Sequence, residues 1–213
     1  QDPRAAADEL ERTTRDLGFS GALINGTTNG AYLDDDRFSV LWERASDLDV
    51  PIYIHPNNPA DTPAMYQGHS EMWGPVWSWT VETGSHALRI LFSGVFDRYP
   101  NAKLILGHMG ETLPYQLWRF DSRWKISNRG SKKLELAPSE YFKRNFWCTT
   151  AGVCSDEPMR CAIDALGVER VMFSVDYPFE RSEETAEWIE TAKLSISERS
   201  LVCYENAKSL LKL

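Results

Sequence analysis

The chain has 213 residues, of which 42% are hydrophobic and 25% charged, and a net charge of -8, ordinary values for a globular protein of one or two domains. The acidic balance and the absence of a Lys/Arg stripe exclude nucleic acid as a partner. No apolar run reaches the roughly 18 residues of a membrane span, and Gln1-Asp2-Pro3-Arg4 is not a signal peptide.

The remaining bulk features concern cysteines, aromatics and basic residues. Four cysteines, at 148, 154, 161 and 203, form no Cys-x-x-Cys pair, and reduced thiols in a cytoplasmic protein are the expectation. Aromatic residues make up 12%, with eight Trp, which points to a large core, an aromatic pocket or a subunit interface. Lys132-Lys133 reads as part of a solvated loop.

Helix and strand signals alternate along the chain. Pro3 suits a first turn, and Ala5 to Leu17 has helical apolar spacing that Gly18 ends. Phe19 to Ile24 predicts a strand leading to Asn25-Gly26. The acidic turn Asp34-Asp35-Asp36 opens a helix over Phe38 to Leu48, and strand 51–55 follows. Residues 56–71 read as a loop. Trp73 to Tyr99 reads as mostly helical, broken at Gly84 or Gly94. Next come strand 103–107, helix 112–125 with Pro114 in its first turn, and a polar loop over 127–138. Asn145 to Thr150 predicts a strand, and 156–166 a helix ended by Gly167. Strand 170–175, helix 182–193 and a closing helix from Ser197 to Leu211, with Ser197 and Ser200 near its cap, complete the pattern.

No repeat or composition break divides the chain, so a single domain over 1–213 is expected. The βαβα order implies a parallel sheet wrapped by helices. About five strands are legible, whereas a closed (β/α)8 barrel of the TIM type needs eight. The pattern also opens on a helix with no strand before it. The expectation is therefore a (β/α)8 TIM-type barrel lacking its N-terminal strands in this chain.

Three apolar runs break off at a polar residue: Pro51 to Ile54 at His55, Lys103 to Gly107 at His108, and Val171 to Val175 at Asp176. Side chains at the C-terminal ends of barrel strands are where such folds build active sites. His55 reads either as a hydrogen-bonded core histidine or as a metal ligand, and the following Pro56 favours a loop-facing ligand. Asp176 reads as a turn residue before Pro178, or as a ligand and proton carrier, because a buried carboxylate is costly without a partner. His108 sits between glycines, and Glu111 could accept its ring N–H; otherwise Glu111 caps the next helix. His69 and His86 read as solvated or structural.

These segments resemble the metal-dependent decarboxylase branch of the amidohydrolase superfamily. That branch includes γ-resorcylate (2,6-dihydroxybenzoate), 2,3-dihydroxybenzoate and 5-carboxyvanillate decarboxylases, with aminocarboxymuconate semialdehyde decarboxylase more distant. The resemblance is carried by Asp49-Val50-Pro51-Ile52-Tyr53-Ile54-His55-Pro56, by Gly107-His108-Met109-Gly110-Glu111-Thr112-Leu113-Pro114-Tyr115 with Trp118-Arg119, and by Phe173-Ser174-Val175-Asp176-Tyr177-Pro178-Phe179-Glu180. Gly21-Ala22-Leu23-Ile24-Asn25-Gly26 and Asn206-Ala207 before Leu210-Leu211 extend it over essentially the whole chain.

The resemblance implies His55 and Asp176 as metal ligands and His108 as the catalytic histidine, oriented by Glu111. It implies Asn25, Arg119 and Phe179 as substrate contacts. It further implies a divalent cofactor (Zn²⁺ or Mn²⁺, with Mg²⁺ an option), no organic cofactor, a small aromatic carboxylic acid as substrate and a homo-oligomer, dimer or tetramer. The family's remaining ligands lie in a Glu-x-His motif that this chain lacks, and two ligands hold a divalent ion poorly. The implied reaction is non-oxidative decarboxylation of an ortho-hydroxybenzoate. The alternatives are a metal-dependent lactone or amide hydrolase of the same superfamily, and a non-catalytic fragment or pseudoenzyme whose aromatic helix over 73–99 serves an interface.

Overall fold

A computed structural model describes residues 1–127 and 134–213. Lys132-Lys133 and much of the loop expected over 127–138 lie outside the described residues. Five strands, β1 (Ala22–Asn25), β2 (Pro51–His55), β3 (Lys103–Leu106), β4 (Phe146–Thr149) and β5 (Val171–Met172), form one sheet in chain order. Every pairing is parallel. Helices fill each crossover, as parallel pairing requires. The helices are α1 (Pro3–Leu17), α2 (Ser39–Leu48), α3 (Ser78–Phe92), α4 (Val95–Arg98), α5 (Leu113–Ser127), α6 (Pro138–Asn145), α7 (Asp156–Leu166), α8 (Ser182–Thr191), α9 (Ile196–Ser200) and α10 (Asn206–Leu211). Among the described residues the sheet has five strands, in agreement with the number legible in the sequence.

The two-residue period of a strand sorts its side chains onto two faces. Ile52, Ile54, Leu104, Leu106, Phe146, Cys148 and Val171 go to the helix-covered outer face and are buried. There Phe146 stacks on Phe142 of α6 at 4.3 Å and meets Phe96 of α4 edge-on at 5.2 Å. Burying each large apolar side chain contributes roughly 1.5–3 kcal/mol, so this face holds the fold together. The inner face carries Leu23, Tyr53, Ile105, Trp147 and Met172. Ile105 and Met172 pack with Leu210 of α10 in a second, smaller cluster, while Leu23 on edge strand β1 stays 58% exposed.

Local signals account for several element ends. Asp2 caps α1 by accepting the N–H groups of Arg4 and Ala5. Gly18 ends it at φ 71°. Gly94, at φ 77°, separates α3 from α4. Gly84 instead lies inside α3, where a Cβ would sit 3.4 Å from the Glu111 carbonyl oxygen. All four cysteines are free; Cys148 is buried, and Cys154 and Cys203 are exposed. Burial pushes the Cys148 thiol up to about 12, which suits a packing role.

Three expectations need correction. Helix α6 falls where a polar loop gives way to a strand in the sequence reading. Its start is set by Pro138 in the first turn and by the Glu140 carboxylate accepting the Ala137 N–H at 2.8 Å, and its Tyr141 and Phe142 are buried. Strand β5 stops at Met172 rather than running to 175. Beyond it the Phe173 N–H donates to the Val202 carbonyl at 2.8 Å and the Ser174 N–H to Thr150 Oγ1 at 2.9 Å, so those groups leave the ladder. The closing helix starts from Ser195, whose hydroxyl accepts the Glu198 N–H while Glu198 accepts the Ser195 N–H. It passes through a π-helical turn over Leu201–Glu205 before α10, and that turn supplies the Val202 carbonyl used by Phe173.

Candidate active site

A cavity of about 450 Å³ opens beyond the C-terminal ends of the strands. It is lined by His55, His108, Asp176 and Phe179, with Trp79 and Thr80 of α3. The three polar residues that end apolar runs in the sequence therefore face one space. Each gets there by a different local device.

His55 is the last residue of β2 and pairs in register with Asn25 of β1. The period of the strand places both on the inner face. The Nδ1 atom of His55 lies 2.9 Å from the Pro56 carbonyl oxygen. A carbonyl only accepts, so Nδ1 carries the proton and Nε2 keeps its lone pair.

His108 leaves β3 through Gly107, where a Cβ would come within 2.9 Å of the Tyr53 hydroxyl. The next residues turn through the left-handed region: φ is 47° at His108, 54° at Met109, 79° at Gly110, 54° at Glu111 and 62° at Thr112. Such a conformation costs about 1–2 kcal/mol for each residue other than glycine. The strain is held by burial of Met109, Gly110 and Glu111 and by a 2.7 Å hydrogen bond from the Gly110 N–H to the Gly107 carbonyl.

The turn brings Glu111 back under the imidazole. His108 Nδ1 is 2.6 Å from Glu111 Oε1, and the Glu111 side chain has no solvent exposure. Thr80 donates its hydroxyl to the other oxygen, Oε2, at 2.7 Å. On its far side His108 Nε2 is 3.7 Å from Asp176 Oδ2. Burial disfavours the imidazolium, but the bond to Glu111 and the charges of Glu111 and Asp176 outweigh it, so the proton affinity of His108 is raised.

Asp176 sits at φ 82°, and its carbonyl accepts the N–H groups of Phe179 at 2.9 Å and Glu180 at 3.2 Å. That turn places Phe179, 75% exposed, on the cavity rim. Gly152, after β4, is the close neighbour of both catalytic candidates. A Cβ there would lie 2.9 Å from His108 Cδ2 and 3.0 Å from Asp176 Oδ2.

The structure thus brings together His55, His108, Glu111, Asp176 and Phe179. Asn25 stands beside His55 in the ladder. Arg119 is exposed on α5 and is not among the residues lining this cavity. Leu113 and Leu117 turn the buried face of α5 to the core, which sends Trp118 and Arg119 outward. Sequence reasoning missed Thr80, Trp79 and Gly152. The only signal available was modest: for Gly152, a glycine just past a strand end.

His69 is exposed and bonds Glu71. His86 is buried and accepts the Leu33 N–H at 2.9 Å, and burial lowers its pKa to about 4. Both match the solvated or structural reading. One turn before His86, burial pushes the Glu82 carboxyl up to about 7. Neither of its oxygens has a geometric hydrogen-bond partner among the described residues; the nearby Tyr32 hydroxyl opposes the effect of burial, and the charge of Glu111 adds to it.

His55 Nε2 and the Asp176 carboxylate are suitable donors for a divalent cation and share one cavity. Among the described residues no group of three His, Cys, Asp or Glu could hold a metal. The pair fits two corners of a metal site rather than a whole one.

The chain is similar to known proteins in sequence and in fold. The amidohydrolase family model matches residues 1–213. Gamma-resorcylate decarboxylase of Polaromonas sp. is 42% identical over 100% of this chain and 68% of its own length, and the protein of that name from Rhodococcus jostii is 41% identical over the same shares. A crystal structure of the dihydroxybenzoic acid decarboxylase of Polaromonas sp., with bound manganese and the inhibitor 2-nitroresorcinol, superposes at a TM-score of 0.93 with 41% identity, covering 100% of this chain and 66% of that one. The 2,6-dihydroxybenzoate decarboxylase in complex with 2,6-dihydroxybenzoate gives a TM-score of 0.94 at 38% identity over 100% and 68%. The chain therefore spans about two thirds of the length of these relatives, and it belongs to the amidohydrolase family.

Proposed function

We propose that the full-length protein is a metal-dependent carboxy-lyase that removes CO₂ without oxidation from an ortho-hydroxybenzoate of the 2,6-dihydroxybenzoate type. The observation that carries this reading is the row Glu111, His108, Asp176, with spacings of 2.6 and 3.7 Å, facing the cavity that His55 also lines. The relatives' names and their bound inhibitor supply the substrate class.

His55 and Asp176 would hold a divalent cation, Mn²⁺ by analogy with the relatives, with Zn²⁺ or Mg²⁺ as alternatives. When bound, the cation would neutralise and orient the substrate's carboxylate and ortho oxygen. The remaining chemistry falls to side chains. His108 Nε2 takes the proton of the ortho hydroxyl, and Glu111 offsets the charge that results on the imidazole. Asp176 delivers a proton to the ring carbon bearing the carboxylate, making the ring dienone-like. Breaking the carbon–carboxylate bond releases CO₂ and returns the electron pair to the ring. His108 then gives its proton back to the phenolic oxygen, and Asp176 is reprotonated from solvent. Phe179 and Trp79 supply aromatic walls for the ring.

The exposed apolar residues Tyr115, Trp118 and Ile126 of α5 support self-association into a homo-oligomer. No helix among the described residues is long and apolar enough to cross a membrane.

The test is CO₂ release from 2,6-dihydroxybenzoate by the full-length protein, before and after chelation and Mn²⁺ return. Metal-dependent release of CO₂ and resorcinol is expected. Ring opening or amide hydrolysis without CO₂ would replace this reading with the hydrolase one, and inertness of the metal-loaded protein would favour a non-catalytic role.

A further inference from the structure

The row of groups at the site does not end at Glu111. Its carboxylate is fully buried and engaged at both oxygens, by His108 Nδ1 at Oε1 and by the Thr80 hydroxyl at Oε2. The Thr80 hydroxyl acts as donor. The second oxygen is thus held by an O–H, and because an ionised carboxylate only accepts, neutral His108 facing Oε1 carries its proton at Nδ1. The Nε2 lone pair is left for the cavity and Asp176.

The same helix reinforces the arrangement. Gly84, one turn past Thr80, lets α3 pack against the Glu111 backbone, with its Cβ position 3.4 Å from the Glu111 carbonyl oxygen. Thr80 also borders a second, largely apolar cavity of about 650 Å³ that shares only Thr80 and His108 with the first. The hydroxyl therefore stands where both spaces meet the imidazole.

We propose that Thr80 is a positioning residue: through Glu111 it fixes His108 in the tautomer protonated at Nδ1 and aims Nε2 at Asp176. This rests on the decarboxylase reading only for its kinetic consequence; the tautomer is a property of the chain itself. Groups that orient a metal-bound histidine from behind matter by about 10–100-fold, and an effect of that order is the expectation for His108. The effect belongs in kcat, because Thr80 acts on the group that moves the proton rather than on substrate affinity.

The test uses Thr80→Val, which removes the hydroxyl at nearly constant shape, and Thr80→Ser, which keeps it. In the full-length metal-loaded protein Thr80→Val is expected to lower kcat about 10–100-fold with KM within about twofold. Thr80→Ser should restore most of the loss. Independently of turnover, nitrogen chemical shifts of His108 at alkaline pH should show one tautomer in the wild type and Thr80→Ser, and a mixture in Thr80→Val.

A single unchanged tautomer in Thr80→Val, or equal damage from both substitutions, overturns the proposal. If Thr80→Val does not fold, Thr80→Ala carries the same expectation. If the wild type releases no CO₂, the tautomer measurement still decides the matter, so failure of the decarboxylase reading stays distinguishable from failure of this one.

Discussion

The outer face of the sheet and its C-terminal rim are made by the same strands under opposite rules. Ile54 and His55 are adjacent, yet Ile54 is sealed in the main core while His55 lines the cavity. Leu106 is buried against helices, and two residues later His108 starts a strained left-handed turn. Apolar burial on one side provides the free energy that holds unfavourable backbone and buried charge on the other. The difference teaches that stability and chemistry are separable here, residue by residue.

The strongest way to sharpen that separation is Asp176→Asn. In the full-length protein it should lower turnover by about 10²–10⁴-fold, the usual worth of a positioned acid, while shifting unfolding free energy by less than about 1 kcal/mol. Kinetics paired with denaturant unfolding checks both halves, and near-wild-type turnover removes Asp176 from the mechanism. Phe146→Ala does the converse. It strips the stack on Phe142 and Phe96 and should cost about 3–5 kcal/mol, read by urea titration.

A third measurement probes the buried polar pair behind the site. Glu82 is pushed up to about 7 from 4.5, so the folded state binds its proton more tightly than the unfolded chain does. Its contribution to stability is lost as pH rises from about 4.5 to 7. His86 is lowered to about 4 from 6.5, so its contribution is lost as pH falls from about 6.5 to 4. The two slopes oppose each other across the shared window. Glu82→Gln should remove the first, raising stability at pH 8 relative to pH 5 by up to about 3 kcal/mol, at ~1.4 kcal/mol per pKa unit. Thermal unfolding at both pH values reads it, and an unchanged difference would place Glu82 outside the buried set. The smallest effect belongs to the inner face: Leu23→Ala, at a half-exposed edge position, should change stability by no more than about 1 kcal/mol.

Much of this is legible in the sequence alone. The limits of β2 follow from Pro51 and the Pro56 that succeeds His55, because proline fixes the backbone on both sides. The ends of α1 and α7 follow from Gly18 and Gly167. The pairing of His108 with Glu111 was readable from their spacing, although the route was not: a run of five left-handed residues is no regular helix, and its strain is held by tertiary packing. The outward position of Arg119 was not readable, because a motif says nothing about which face of α5 turns inward; Leu113 and Leu117 decide that. Helix α6 was overlooked although Pro138 and Glu140 mark its start locally; the contacts that hold its end, such as Asn145 Nδ2 to the carbonyls of Pro100 and Ala102, span more than forty residues.

By itself the sequence determined the parallel α/β order, the limits of β2 and the identity of the groups with chemistry to offer, since apolar period, proline, glycine and side-chain type are local properties. Only the tertiary structure decided that Thr80 reaches Glu111 and that Gly152 admits His108 and Asp176 to one another. Those contacts join segments distant along the chain, and they exist only where the packed sheet and helices hold them within a few ångströms.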